Sequence, residues 1–471
     1  MKPQTSNLQP QTFISTVVIS SDLAVRQSVA RDASGLELVP DAVARPTSEE
    51  EVVELLKRAN ADRTPVTAAG GQTSTTAASI TDRGVLLSLR ALDRIGEVDL
   101  DRHVVRVQSG ALLGELKRRL AAQGLLFSPD PTSEDDVTIG GAIACNASGA
   151  RSLRYGATRP HVSALRVALA TGEVIDVRRT QLEKNTVGFA LVHDPVDWFV
   201  GSEGTLGVVL ETELSLLPLA PAVLGLAVPF ADEERALDFV VAAREYRDVA
   251  PRCLEFFDRR ALEIAREAEG SGRWALGACA LVYLEQASKQ GEDPPVDAWL
   301  MLAERFGARD SDILSYDGEA ALRDARRVRH AIPATMNERG ARGRLAGGRK
   351  VSTDWAVPYR RLKEAIAEAR RLAEIAGVEQ AVIYGHAGNG HPHQNFVARD
   401  GEELQRIERV VEETLKHVIA LGGTVAAEHG IGKLKRRWLP LQLSATQLGV
   451  MRAVKTELDP NGILAPGNLF S

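Results

Sequence analysis

An α+β fold built as two or three domains is what this sequence predicts, and three observations carry that reading. Its 471 residues exceed one domain at roughly 150 residues each, and 44% are hydrophobic, enough for more than one core. Short β-branched runs alternate along the chain with amphipathic helical stretches. Between Pro218 and Pro221 the composition shifts, and beyond it strands alternate with strongly charged helices. Charge and cysteine usage narrow the partners. With 57 Lys and Arg against 63 Asp and Glu the net charge is −6, so no bulk attraction for nucleic acid or an anionic membrane exists, and a small molecule is expected. Cys145, Cys253 and Cys279 stand far apart without a C-x-x-C pair, which encodes neither a disulfide framework nor an iron–sulfur module and suits a reducing compartment. The start of the chain has no basic stretch leading into an apolar one, and no apolar run of about 18 residues occurs. The reading is cytoplasmic, with no transmembrane segment.

In order, residues 1–35 read as a weakly patterned lead-in whose first dozen residues form a mobile tail. From Pro46, Thr47 or Ser48 caps a helix with acidic residues in its first turn and an apolar stripe of Val52, Val53, Leu55, Leu56 and Ala59. A short strand over 65–68 feeds Gly70-Gly71-Gln72-Thr73-Ser74, and strands follow over 85–89 and 103–110. A helix beginning near Ala111 closes at Gly124. Two more small-residue runs span Thr138 to Gly149 and Gly201 to Gly207, the latter leading into a strand that ends at Pro218. Strands (LGLAVPF, ALVYLEQ) and helices (EERALDFVVAAREYR, VDAWLMLAERFG) then alternate, and a last helix precedes DPNGILAPGNLF.

Glycine-rich runs let backbone N–H groups converge on a phosphate, so three of them in one half point to a nucleotide or flavin. None is G-x-G-x-x-G after a strand, and Gly430-Ile431-Gly432-Lys433 is not a P-loop, so NAD and ATP are not indicated. Histidines cluster as well. His386, His391 and His393 lie within YGHAGNGHPHQNF and His429 in AAEHGIGK, a supply of imidazole and carboxylate suited to a divalent cation. On one strand His391 and His393 share a face, whereas His386 and His393 fall on opposite faces unless Gly388, Gly390 and Pro392 fold the segment back. Cys145 reads as a small packed hydrophobe, and Tyr155 either reaches the ligand or packs.

The ordered set RDASG (31–35), AAGGQTS (68–74), PDPTSEDDVTIGGAIACNASGARSLRYGAT (129–158), GSEGTLGVV (201–209) and DPNGILAPGNLF (459–470) resembles the vanillyl-alcohol-oxidase-type flavoproteins, in the branch of D-lactate, D-2-hydroxyglutarate and glycolate dehydrogenases. The resemblance spans nearly the whole chain. It implies a two-part FAD-binding domain of the PCMH type (36–220), an α+β cap domain with an antiparallel sheet for the substrate (221–424), and a segment 425–471 returning to complete the active site. It assigns the pyrophosphate cradle to Gly70, Gly71, Gln72, Thr73 and Ser74. Other FAD contacts fall on Pro131, Thr132, Ser133, Thr138, Ile139, Gly140, Gly141, Asn146, Ser148 and Gly149. Glu203, Gly204, Gly207 and Val208 match the adenosine side, and Asn468 a residue near the isoalloxazine. The phosphate loop has no His or Cys, so non-covalent FAD is expected.

The same resemblance, through the family motif G-H-x-G-D-G-N-x-H, implies zinc or manganese bound by His386, His393 and Glu428. Asn389 replaces its Asp and His391 its Asn, which leaves His391 open as an added ligand. His429 is the expected acceptor of the substrate hydroxyl proton. Arg329 is the first choice and Lys350 the second for the substrate carboxylate, while Arg342 and Arg344 read as solvated. The implied reaction oxidises a D-2-hydroxy acid, with electrons passed to a quinone, an electron-transfer flavoprotein, a partner subunit or oxygen. A homodimer is compatible with the sequence. Two other readings keep the flavin: a non-redox transferase resembling alkyldihydroxyacetonephosphate synthase, whose active site ends in a similar histidine-glycine segment, and a non-catalytic flavin-binding subunit.

Overall fold

The computed structural model describes residues 17–470 except 181, 271–274 and 276, and the expected mobile dozen lies outside them. The rest of the lead-in is not a tail. Helix Leu23–Ser28 is capped by Asp22, Val29 and Ala30 are buried, and Gln72 Nε2 donates to the Val29 carbonyl at 2.8 Å. Sequence reading missed this because its polar residues hide a few small buried contacts.

Two larger sheets precede Pro218, beside a two-stranded pair of Leu125–Leu126 with Leu217–Pro218. One runs Ile19–Ser20, Ala42–Ala44, Val85–Ser88, Val66–Ala69, with its last three strands parallel. The other, antiparallel, runs Ile95–Asp99, Val104–Gln108, Val208–Ser215, Val162–Ala168, Val174–Arg178. Helix Glu49–Asp62 forms as its sequence dictates: Ser48 accepts from Glu51 N, three glutamates occupy the positive first turn, and Val52, Leu55, Leu56 and Ala59 are buried. The chain after the last helix, Ala445–Leu458, returns to this half, where Val66 N donates to Ile463 O and Ala465 N to Val66 O.

A seven-stranded antiparallel sheet opens at Ala222: Leu314–Asp317, Ala222–Phe230, Ala280–Ser288, Cys253–Phe257, Val382–His386, His391–Val397, Lys350–Ser352. Its inner strands are buried on both faces, so their apolar runs lack alternation. Leu254, Phe256, Val282, Leu284 and Ile383 pack under helices Glu233–Glu245, Val296–Arg305, Leu362–Ile375 and Gly401–Ala420. Phe257, Leu281 and Tyr384 pack under Arg259–Glu269 and Gly318–Arg342. Among the described residues no helix is long and apolar enough to cross a membrane.

A buried ionic group joins the two halves. Glu285 Oε2 lies 2.5 Å from Arg252 and 3.4 Å from Arg151, while the Tyr283 hydroxyl donates to Oε1 at 2.9 Å. Burial disfavours the charged carboxylate, but Arg151 and Arg252 outweigh it and hold Glu285 down at about 2. Its stabilisation is therefore complete above about pH 4.5, the ordinary glutamate value, and fades as pH falls toward 2. Glu285→Gln is expected to cost about 3 kcal/mol at pH 7, because two buried guanidiniums lose their anion. In thermal denaturation of both proteins, the gap should narrow below pH 4.5. A gap independent of pH would contradict the assignment.

Candidate active site

The hairpin Val382–Val397 brings the histidines together. Gly385 (φ 126°) and Gly390 (φ 70°) permit the fold-back, and His386 pairs directly with His391 while Tyr384 pairs with His393. A Cβ at Gly390 would sit 1.9 Å from the Val357 carbonyl oxygen, so only glycine fits. Side chains two apart share a face, so all three imidazoles project from one side of the sheet, the side that also carries Glu255 on the neighbouring strand. Both geometric expectations hold, since the segment folds back and His391 and His393 share a face. One ligand atom each from His386, His393 and Glu428 lie within 4.8 Å of one another.

Carboxylates position these rings. Glu255 Oε1 is 2.5 Å from His386 Nδ1, and Oε2 accepts from Arg329 Nε at 3.1 Å. Asp354, fully buried, accepts from the backbone N–H groups of Glu428 and His429 (3.1 and 3.0 Å) and from Lys435 Nζ at 2.7 Å, and lies 3.6 Å from His429 Nδ1. His429 stacks on His393 at 5.6 Å with an 8° interplanar angle. Burial pulls His386 down, but Glu255 and Glu428 outweigh it and lift the ring to about 10. Glu428 stays well below the carboxylate range, because His386 and His391 overcome its burial. Burial, opposed by Asp354, lowers His429 to about 4, so a neutral imidazole is present at physiological pH. Glu428 with His386 and His393 as neutral imidazoles makes a donor set that fits a divalent cation, and Glu255 and Asp354 back the cluster.

This cluster opens into a cavity of about 1270 Å³, larger than the roughly 300–1,000 Å³ of drug-sized sites and suited to a dinucleotide with a substrate. The opposite wall is the glycine architecture. Strand Val66–Ala69 runs into Gly70, Gly71, Gln72, Thr73 and Ser74, with Gln72 in the left-handed region (φ 55°). A Cβ at Gly71 would meet the Asp136 carbonyl at 2.0 Å and one at Gly70 would meet Thr138 Oγ1 at 2.1 Å, so glycine alone allows this loop to pack on Thr138 and helix Ile139–Cys145. The small-residue wall fits a flavin nucleotide.

Most of the expected residues line this one cavity: Gly70 to Ser74, Pro131, Thr132, Ser133, Thr138, Gly140, Gly141, Ser148, Gly149, Glu203, Gly204, Gly207, Val208, Arg329, Lys350, His386, His393, Glu428 and His429. Two do not. Asn146 caps helix Ile139–Cys145 and accepts from Arg159 N at 2.9 Å, while the Asn468 amide is spent on Ala78 O, Glu203 O and Lys433 Nζ. Glu203 directs its carboxylate to the N–H groups of Ile431 and Gly432 (2.6 and 2.7 Å), and so ties the glycine half to the loop bearing Glu428 and His429. Ser148 donates to Glu428 Oε1 at 2.8 Å and Thr132 accepts from Arg329 at 3.2 Å, two further ties across the cavity. Lys350, pulled down to about 8 by burial, faces the cavity with Asn337 Oδ1 2.7 Å from Nζ.

Cys145 is a free thiol, half-buried and lining the cavity rather than packed away as expected, with its pKa pushed up to about 12 by burial, and Tyr155 lies outside the cavity lining. Arg344 is exposed, as expected, and also lines the cavity. Sequence reading missed Glu255, Asp354 and the stretch Asp32–Leu36, which also lines it. A carboxylate inside the apolar strand Cys253–Phe257 was the signal for Glu255. For Asp354 the signal was its place four residues after Lys350, in KVSTDWAVP (350–358).

The family described as FAD linked oxidases, C-terminal domain, matches residues 221–469, and the FAD binding domain matches 40–178. A D-lactate dehydrogenase of Archaeoglobus fulgidus is 32% identical over 91% of this chain and 90% of its own. The glycolate oxidase subunit GlcD of Bacillus subtilis is 30% identical, covering 92% of this chain and 89% of that protein. A D-2-hydroxyglutarate dehydrogenase of Xanthomonas citri pv. viticola is 30% identical with the same coverage, 92% and 89%. Among solved structures an alkyldihydroxyacetonephosphate synthase shares the fold, with a TM-score of 0.70 at 18% identity over 95% of this chain and 83% of its own. A flavin-sized cavity with a glycine wall, in a chain matched by this family over more than half its length, places the protein among the FAD-linked oxidases.

Proposed function

We propose that the protein oxidises a D-2-hydroxy acid to the 2-oxo acid, with residues 36–220 holding non-covalent FAD, 221–424 forming the cap and 425–471 closing the site. The observation that carries this reading is the convergence of His429, Arg329, Lys350 and the His386–His393–Glu428 cluster on the cavity that the glycine loops line. Bound FAD supplies the acceptor for the hydride that leaves the α-carbon. A divalent cation on His386, His393 and Glu428 would lower the pKa of the substrate hydroxyl and orient it.

The chain's own residues do the rest. Arg329 is held by Glu255 and Thr132 and presents its remaining guanidinium edge to the substrate carboxylate. Lys350 offers a second cation free of a carboxylate partner. Among the described residues His429 Nε2 has no hydrogen-bond partner, and Asp354 behind Nδ1 stabilises the imidazolium that forms when the ring takes the hydroxyl proton. The free cysteines do not cluster, so electrons pass on to a separate acceptor. The transferase reading draws on fold likeness alone, and the relatives' names and the histidine cluster favour the dehydrogenase.

Anaerobic addition of D- and L-lactate, glycolate, 2-hydroxyglutarate, malate and mandelate should bleach the flavin stereoselectively with one D-acid, and chelator should abolish the bleaching until zinc or manganese is restored. A bound flavin that none of them reduces would refute the reading and favour the transferase.

A further inference from the structure

We infer that His391 is a fourth protein ligand of the cation site, so that three imidazoles and one carboxylate surround the ion. This rests on the cation reading above and extends it to a residue outside the His386–His393–Glu428 set. Three ring nitrogens converge on the Glu428 carboxylate: His386 Nε2 at 3.2 Å, His391 Nδ1 at 3.7 Å and His393 Nε2 at 3.9 Å. His391 is as deeply placed as the others, 3% exposed against 4% and 7%.

Its surroundings repeat those of His386. In each ring one nitrogen faces Glu428 Oε1 and the other a buried carboxylate, Glu255 Oε1 at 2.5 Å for His386 and Asp354 Oδ1 at 3.2 Å for His391. A carboxylate behind an imidazole fixes the ring and strengthens the nitrogen in front as a donor to metal. Among the described residues no carboxylate backs His393, which makes ring contacts instead, 4.7 Å from His391 and 5.1 Å from His386 between centroids. The two backed rings also differ in one respect. His386 closes a short hydrogen bond to Glu255, whereas His391 Nε2 closes none and its Nδ1 stands beyond hydrogen-bonding distance of Glu428. A buried imidazole with its nitrogens so unspent is costly. An ion shared by Nδ1 and Glu428 Oε1 removes that cost and aligns Nε2 on Asp354. Three nitrogens and one oxygen select zinc or cobalt over manganese or magnesium.

Metal-stripped flavoprotein with its FAD retained is titrated with zinc against a chromophoric chelator, and the imidazoles on bound zinc are counted by X-ray absorption. We expect three imidazoles in the wild type and two in His391→Asn, with zinc affinity falling about 10- to 100-fold in the variant and manganese affinity changing less. Two imidazoles in the wild type, with His391→Asn binding zinc as tightly and His393→Asn losing it, overturns the role of His391 and leaves the cation reading standing. Failure of the wild type to hold zinc at all overturns both. The wild-type count needs no variant, so a misfolded substitution cannot decide the matter.

Discussion

His429→Asn is expected to slow flavin reduction by the D-2-hydroxy acid about 100- to 10,000-fold, the usual contribution of a positioned general base, with FAD content and melting temperature unchanged. The ring lines the cavity, its Nδ1 is 3.6 Å from the buried Asp354 carboxylate, and its backbone is fixed by the bond from His429 N to Asp354. Asparagine keeps that backbone bond but cannot take a proton, so the loss falls on the chemical step. Anaerobic stopped-flow bleaching at saturating substrate isolates that step, and a rate within threefold of wild type would remove His429 from the mechanism.

Arg329→Met should act on substrate capture. The guanidinium is buried, bonded to Glu255 and Thr132, and lies 5.5 Å from the Tyr384 ring centroid. Losing one member of a buried charge pair costs about 2–5 kcal/mol, a fall in kcat/KM of roughly 30- to several thousandfold. Most of it should appear in KM, since the carboxylate is held before and during hydride loss alike. Arg329→Lys restores charge without the planar fork and should recover only part of the loss. An unchanged KM in Arg329→Met would assign the carboxylate to Lys350. A change in kcat alone would instead mean that the substitution acts through Glu255 and His386.

Where the sequence was legible, a local rule was enough. Ser48, the glutamates after it and the apolar stripe identify helix Glu49–Asp62 from adjacent residues, and Gly388 and Gly390 foretell the hairpin because nothing else lets His386 and His393 meet. What escaped was set by partners remote in sequence. Glu203 matches a cofactor-side residue, yet its carboxylate binds the N–H groups of Ile431 and Gly432. Asn468 is consumed by Ala78, Glu203 and Lys433, and Asp354 gains its role only when Glu428, His429 and Lys435 fold around it. Hydrogen bonds across such spans leave no periodicity to read.

The pairing of Ile463 and Ala465 with Val66 sets an order of events in synthesis. A ribosome makes the glycine loop long before the segment that braces it, so the strand carrying that loop stays unpaired on this edge until the chain through Ala465 has been made. Until then the early half has an unpaired edge at Val66, next to the glycine loop.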